Sequence, residues 1–280
     1  MKIFVVSLSR VEARTRYIKA HLDSLEVDYE LVDAIDYLNL TSADFDVLSD
    51  QEAVRRNPYL NKGVIACSLS HVKIFRLIIE RNIDKCLVIE DDAMLPSNIK
   101  RLLVIAEQEI QSDEIISLSY FNHHQAKDVT SLSRHQRTRV GEGHELVYPV
   151  DLHDIASTMA YVITREVARK MIEVVLPVSV QTDYWGVYYD KQAFSSFRCL
   201  YPVPVQAAAI RSSIEYEAAN TLASRLAAWV RRHRVPLLRQ YLERRAEIIQ
   251  DAKYQFTFVD EPPFNAIAST REDRDVLSSS

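Results

Sequence analysis

The chain has 280 residues, 48% of them hydrophobic and 26% charged, and a formal net charge of -5. Those proportions suit a globular protein with one large α/β domain, or a domain of about 200 residues with an appendage. The negative balance, without a basic stripe carrying interleaved aromatics in the body of the chain, argues against a nucleic-acid binder. Three well-separated cysteines (Cys67, Cys86, Cys199) form no CxxC pair, so a reduced, cytoplasmic setting is expected. Only four glycines occur, and none builds a GxGxxG or a P-loop. No run of roughly eighteen apolar residues is long enough to span a bilayer.

In chain order, residues 2–8 predict a first strand. The apolar run is too short for a signal peptide and is interrupted at once by arginines and a glutamate. Residues 10–25 predict a helix through Tyr17, Ile18, Leu22 and Leu25, and residues 29–32 a second strand ending at Asp33. This β-α-β opening implies a parallel sheet with a right-handed crossover. Residues 36–61 are polar and loosely patterned, a loop with short helix. From Gly63, helical periodicity runs through Ile65, Leu69, Val72, Ile74 and Ile78. Residues 86–89 are a short buried strand. Pro96-Ser97 predicts the start of another helix, with Ser97 as its N-cap. Residues 114–118 are a strand, and residues 121–145 a polar His-, Arg- and Ser-rich loop. Residues 161–163 form a strand and 165–175 a helix that Pro177 ends. Residues 200–205, with Pro202 and Pro204, are expected to be an edge strand or extended loop. Residues 221–250 differ in character, with Arg225, Arg231, Arg232, Arg234, Arg239, Arg244 and Arg245 set among Leu, Ala, Val and Trp229.

The run Cys86-Leu-Val-Ile-Glu-Asp-Asp92 carries the chemistry. In an open α/β sheet, ligands bind just beyond the carboxyl ends of the strands, where Glu90, Asp91 and Asp92 emerge. Adjacent carboxylates repel unless something positive neutralises them. A divalent cation holding a phosphate ligand does that, since Mg²⁺ or Mn²⁺ takes one or two carboxylates plus phosphate oxygens. A solvated acidic turn is the competing reading. Cys67 and His71, four apart on one helical face, offer a nucleophile and base, but a cysteine in an apolar helix is usually a small buried hydrophobe. As a metal pair they lack partners in the sequence. A glycoside hydrolase needs two carboxyls roughly 5 to 9 Å apart across the scissile bond, which neighbours in sequence do not supply.

The segment GVIACSLSHVKIF, followed after a short interval by LVIEDDA, resembles the signature of glycosyltransferase family 25, which includes bacterial lipooligosaccharide galactosyl- and glucosyltransferases and collagen galactosyltransferases. IFVVSLSRVEAR with DAID, then DEIISL, AYVITREVARKM and VSVQTDYW are similar to further family segments, in order from residue 2 to about 205. One departure is Val64, where the family usually carries Glu after Gly.

The resemblance implies a GT-A-like, Rossmann-type domain over residues 1–215 that binds a nucleotide sugar. A helical arginine-rich appendage at 216–265 and a disordered tail at 266–280 would follow. It implies inverting transfer of galactose or glucose from UDP-galactose or UDP-glucose to a sugar hydroxyl of a lipooligosaccharide acceptor, with Mn²⁺ or Mg²⁺. Glu90-Asp91-Asp92 then stands in the place of the Asp-x-Asp motif. Asp92 is the direct metal ligand, and Glu90 is assigned to the metal or its bound water and the ribose. Asp183 is the first candidate for the base that takes the acceptor proton, and Asp154 the second; the competing role of Asp183 is a helix N-cap. Ser7, Arg10, Arg14 and Asp33 sit where such enzymes hold uridine and phosphate. Tyr184 and Trp185 either stack on a sugar or pack in the core. Residues 222–245, interrupted at Pro236, suit an amphipathic helix on the anionic inner membrane of a Gram-negative bacterium, or else a helical cap on the catalytic domain with a solvated basic face. A sugar-binding protein that keeps the fold without catalysis is the principal alternative.

Overall fold

A computed structural model describes residues 1–122, 129–208, 210 and 253–265. The chain opens with β1 (Lys2–Ser7), α1 (Glu12–Ser24) and β2 (Glu30–Asp33). Two short helices, α2 (Ser42–Leu48) and α3 (Gln51–Arg56), lead into the long α4 (Lys62–Glu80) and β3 (Lys85–Glu90). Then come β4 (Ala93–Met94), α5 (Ile99–Glu109), β5 (Glu114–Ser117) and β6 (Phe121–Asn122). Strands β7 (Thr130–Ser133), β8 (Thr138–Gly141), β9 (His144–Val147) and β10 (Ile155–Ala156) precede β11 (Ala160–Thr164). The described chain ends with α6 (Arg165–Val175), α7 (Trp185–Asp190), β12 (Ser196–Tyr201), β13 (Gln206–Ala207) and β14 (Phe256–Val259).

An eight-stranded sheet in the order β2-β1-β3-β11-β5-β12-β9-β8 forms the centre. β1 pairs in parallel with β2 on one side and with β3 on the other. The chain therefore leaves β1 outward for β2, then crosses back over β1 to reach β3. Such a reversal opens a crevice at the carboxyl ends of the strands. The sheet is mixed, since β11 runs antiparallel to both β3 and β5.

Strand alternation explains the layers. Cys86 and Val88 point into one core cluster with residues of α4, α6 and α7, while Leu87 and Ile89 join the other, with Ile18 and Leu22 of α1 and Leu102 of α5. All four strand residues are fully buried, and covering each Leu, Val or Ile stabilises the fold by roughly 1.5–3 kcal/mol. Helix α6 matches the predicted span and is capped by Thr164, whose hydroxyl accepts from the Val167 amide. On the far side of the sheet, the buried Glu114 takes a two-pronged contact from Arg198, at 2.6 Å and 2.8 Å.

Four sequence expectations are corrected. Residues 121–145 are not a plain loop: β8 and β9 form a hairpin on the sheet edge, with positive φ at Gly141, Glu142 and Gly143 making its turn. Their short, polar strands gave no period-2 signal. Residues 200–205 divide: 202–205 are an extended segment, as one of the two expected forms, while Leu200 and Tyr201 end β12, an interior strand between β5 and β9 rather than an edge, because Pro202 and Pro204 follow its last residue and remove no ladder donor. Ser97 does not cap α5; Asn98 holds that position without a side-chain cap bond. The predicted amphipathic stretch 222–245 and the tail 266–280 lie outside the described residues. Between them, within the segment 216–265 expected to be a helical appendage, Phe256–Val259 is instead a strand that pairs in parallel with Thr130–Ser133, and Phe264 packs into the core.

Candidate active site

The acidic run emerges at the carboxyl end of β3, beside the end of β1, so the crevice and the carboxylates coincide. Their side chains then diverge. Asp91 turns inward: its Oδ2 accepts from the Ser7 hydroxyl (3.0 Å) and the Leu8 amide (3.3 Å), and its Oδ1 meets Arg14 Nη2 at 2.7 Å. The same Arg14 nitrogen lies 2.7 Å from Asp92 Oδ2. Arg14 projects from the first helix into the protein and is buried. Ser7 and Arg14, expected to face the nucleotide, are thus occupied in holding the loop of Asp91 and Asp92.

Asp92 keeps one oxygen in reserve. Its Oδ1 is buried without a hydrogen-bond partner among the described residues. Burial and the neighbouring Glu90, only partly offset by Arg14, push the Asp92 carboxyl up to about 6. Glu90 Oε1 accepts from the Thr158 hydroxyl at 2.6 Å and lies 3.6 Å from His71 Nε2. Burial works against the Glu90 charge, but His71, Thr158 and Arg14 outweigh it and hold the carboxyl below its ordinary value.

Asp183 reaches the same place from the loop before α7. Its carboxyl is pushed up to about 6, first by burial and then by the Glu90 charge, while the Ser157 amide hydrogen-bonds its ionised form. It does not cap α7, where Tyr184 is the N-cap residue and no side-chain cap bond forms. Ser157 adopts φ 109°, sparsely populated for a residue with a side chain, and its carbonyl accepts from Trp185 Nε1 at 3.1 Å. Trp185 is fully buried against Tyr161, Phe194 and Phe197, so it packs in the core. Asp154 ends the 3-10 turn Leu152–Asp154, half-buried, ahead of Ser157. Arg10 pairs with Asp36 and lies over the Tyr37 ring, and Asp33 accepts from the Ser9 amide at 3.1 Å; both line the outer rim of the crevice. Val64 is buried in the core, so no carboxylate enters the site from that position.

The sequence reading missed Lys253. This half-buried lysine places Nζ 3.6 Å from the Phe121 ring centroid, and it faces Asp92, Asp183 and Glu90 electrostatically, while burial lowers its proton affinity. Tyr254 beside it accepts from the Ala207 amide at 3.2 Å. Among the described residues, with all acids ionised, Glu90, Asp91, Asp92 and Asp183 outnumber the cations Arg14 and Lys253 by two charges, which one divalent cation balances. The donors are hard oxygens, including the unpartnered Asp92 Oδ1. This fits Mg²⁺ or Mn²⁺.

The sequence profile of glycosyltransferase family 25 (LPS biosynthesis protein) matches residues 1–185. Procollagen galactosyltransferase 1-B of Xenopus laevis is 28% identical over 210 residues, covering 70% of this chain and 32% of that protein. Inactive glycosyltransferase 25 family member 3 of Homo sapiens is 30% identical over 119 residues, 41% of this chain and 20% of that protein. The chain therefore spans about a third or less of the length of these relatives. Among solved structures, galactosyltransferase LgtC in complex with donor and acceptor sugar analogs aligns at TM-score 0.34 and 11% identity, covering 81% of this chain and 94% of that one. On the profile match over residues 1–185, this chain belongs to glycosyltransferase family 25.

Proposed function

We propose that the chain is an inverting, metal-dependent glycosyltransferase that moves galactose or glucose from a UDP-sugar to a sugar hydroxyl of a bacterial lipooligosaccharide core. The observation that carries this reading is the gathering of Glu90, Asp92 and Asp183 at the β1/β3 crevice, with a buried Asp92 oxygen unpartnered, and too few cations to neutralise the acids, among the described residues. Asp92 Oδ1 and Glu90 would hold Mn²⁺ or Mg²⁺; bound there, the cation supplies charge stabilisation for the departing diphosphate. Asp91, Ser7 and Arg14 keep Asp92 in place. Asp33 and Arg10 at the rim are the contacts for the nucleoside.

Asp183 is the base. An acceptor hydroxyl gives up its proton as it attacks, and a carboxylate near about 6 is ionised at neutral pH yet basic enough to accept one. Asp154 is the second candidate. Cytoplasmic placement, with peripheral inner-membrane contact through residues 222–245, completes the proposal. Among the described residues, no helix is long and apolar enough to cross a membrane.

The test is UDP release from a panel of UDP-sugars with Mn²⁺ and with EDTA, followed by product anomer analysis. Metal-dependent turnover of one donor with inverted product supports the reading. Tight sugar binding with no release under any condition supports instead a silent binding protein. Free sugar released from a glycoside without nucleotide would mark a hydrolase.

A further inference from the structure

One cluster contains two side chains, Cys67 and His71, that the proposed chemistry does not use. Cys67 and His71 sit one turn apart on the buried face of α4, and Glu90 meets them from the end of β3. The ligand atoms of these three residues all lie within 4.8 Å of one another. His71 is fully buried, and its Nε2 has no hydrogen-bond partner within normal distance among the described residues. That nitrogen faces Glu90 Oε1 at 3.6 Å, while Nδ1 is 2.8 Å from the Tyr161 hydroxyl.

The geometry points to a second cation site, for a thiophilic divalent ion of the zinc class, formed by Cys67 Sγ, His71 Nε2 and Glu90. Two ligands about 2.1 Å from a tetrahedral centre stand about 3.4 Å apart, close to the observed His71–Glu90 separation. The Cys67 sulfur lies within 4.8 Å of both other ligand atoms, and ligation requires it to move in toward the same centre. The Tyr161 hydroxyl holds Nδ1 and leaves Nε2 turned inward, which is how an outer partner orients a ligating histidine. Asp183 and Thr182 flank the thiol, so an oxygen or water completes the fourth position.

Without a cation the site is awkward. A thiol without a cation beside it carries its proton among these carboxylates. When the metal–sulfur bond forms, that proton leaves to solvent, and the ion replaces it as the positive charge among the carboxylates. The soft donor set separates this site from the hard-oxygen site at Asp92, yet the two share Glu90. Zinc seated here withdraws Glu90 from the other cation. Zinc would then inhibit a manganese-supported enzyme through Cys67.

The experiment uses the full chain, stripped with EDTA, dialysed and kept reduced with a phosphine. It is titrated with Co²⁺ as probe and Zn²⁺ as competitor. Wild type and Asp92→Asn should both develop a thiolate-to-cobalt charge-transfer band that zinc bleaches. Cys67→Ser should lose the band and weaken zinc binding more than about a hundredfold, beyond what loss of an outer partner costs, and Tyr161→Phe should weaken it about 10- to 100-fold. Circular dichroism of Cys67→Ser, a near-isosteric change, separates site loss from unfolding. No band in wild type, or a band that survives Cys67→Ser through Cys86 or Cys199, overturns the inference. These readouts need no turnover, so they stand or fall separately from the glycosyltransferase reading.

Discussion

Replacing Arg14 with Met tests how the acidic loop is held. Arg14 Nη2 is 2.7 Å from both Asp91 Oδ1 and Asp92 Oδ2, and all three side chains are largely shielded from water. Charge centres about 4 Å apart attract by about 4 kcal/mol at an effective dielectric near about 20. Two such contacts offset a desolvation cost of several kcal/mol per ion, so the pairing itself yields little net stability. Removing the cation is different, because it leaves two shielded carboxylates uncompensated. The expected cost is about 3–5 kcal/mol, which corresponds to a melting temperature roughly 10 °C lower for a chain of this size.

The pH dependence gives the reasoning a second edge. Loss of Arg14 raises the folded-state pKa of both acids further above their unfolded values. The destabilisation is then small below the unfolded pKa and grows as pH rises through the folded one. Urea unfolding in EDTA at about pH 5 and about pH 7.5, for Arg14→Met in the wild-type and Asp92→Asn backgrounds, measures this. The loss should be larger at the higher pH and smaller in the Asp92→Asn background. A loss under about 1 kcal/mol, or an equal loss at both pH values and in both backgrounds, would refute the reasoning.

Other outcomes follow from neighbouring contacts. Asp183, raised from 3.8 to about 6, binds more protons folded than unfolded between those values, so apo stability should fall as pH rises through that window. Asp183→Asn should remove that slope and be more stable than wild type near neutrality by at most about 3 kcal/mol; a pH-independent difference would contradict the assignment. Lys253→Ala removes a cation facing Asp92, Asp183 and Glu90, so donor KM should rise about tenfold or more with a smaller change in melting temperature, and Lys253→Arg should recover part of it. Glu114→Gln at the far side breaks the buried pair with Arg198 and should cost about 3–5 kcal/mol with little effect on UDP binding. Gly186→Ala places a Cβ 2.5 Å from His153 Cγ, and the displacement of α7 should cost about 1–3 kcal/mol by thermal unfolding.

Much of the frame was legible from local pattern. A four-residue apolar run ending in three acids specifies a buried strand whose carboxyl end is polar, and β3 with Glu90–Asp92 is that feature. Helix α6 was legible to the residue because Thr164 and Pro177 bracket an apolar stripe. The failures have physical causes. Proline reads as an edge signal only inside a ladder, and Pro202 lies one residue outside it. Arg14 has the sequence look of a solvated helix residue, and only the packing of α1 against the β3 loop shows that it is buried. Lys253 is far from the acids in sequence, and no local pattern predicts that it faces them. Cys67 and His71 were visible as a pair on one helical face; their third partner needed the fold.

The most direct measurement of the central claim is calorimetric titration of UDP into the full chain, with Mn²⁺ and after EDTA, for wild type and Asp92→Asn. The account predicts binding by wild type with Mn²⁺ that weakens at least about tenfold when the cation is chelated or when Asp92 loses its charge. UDP affinity unchanged by EDTA and by Asp92→Asn, or no affinity in any condition, would contradict it and return Glu90–Asp92 to the role of an acidic turn held by Arg14.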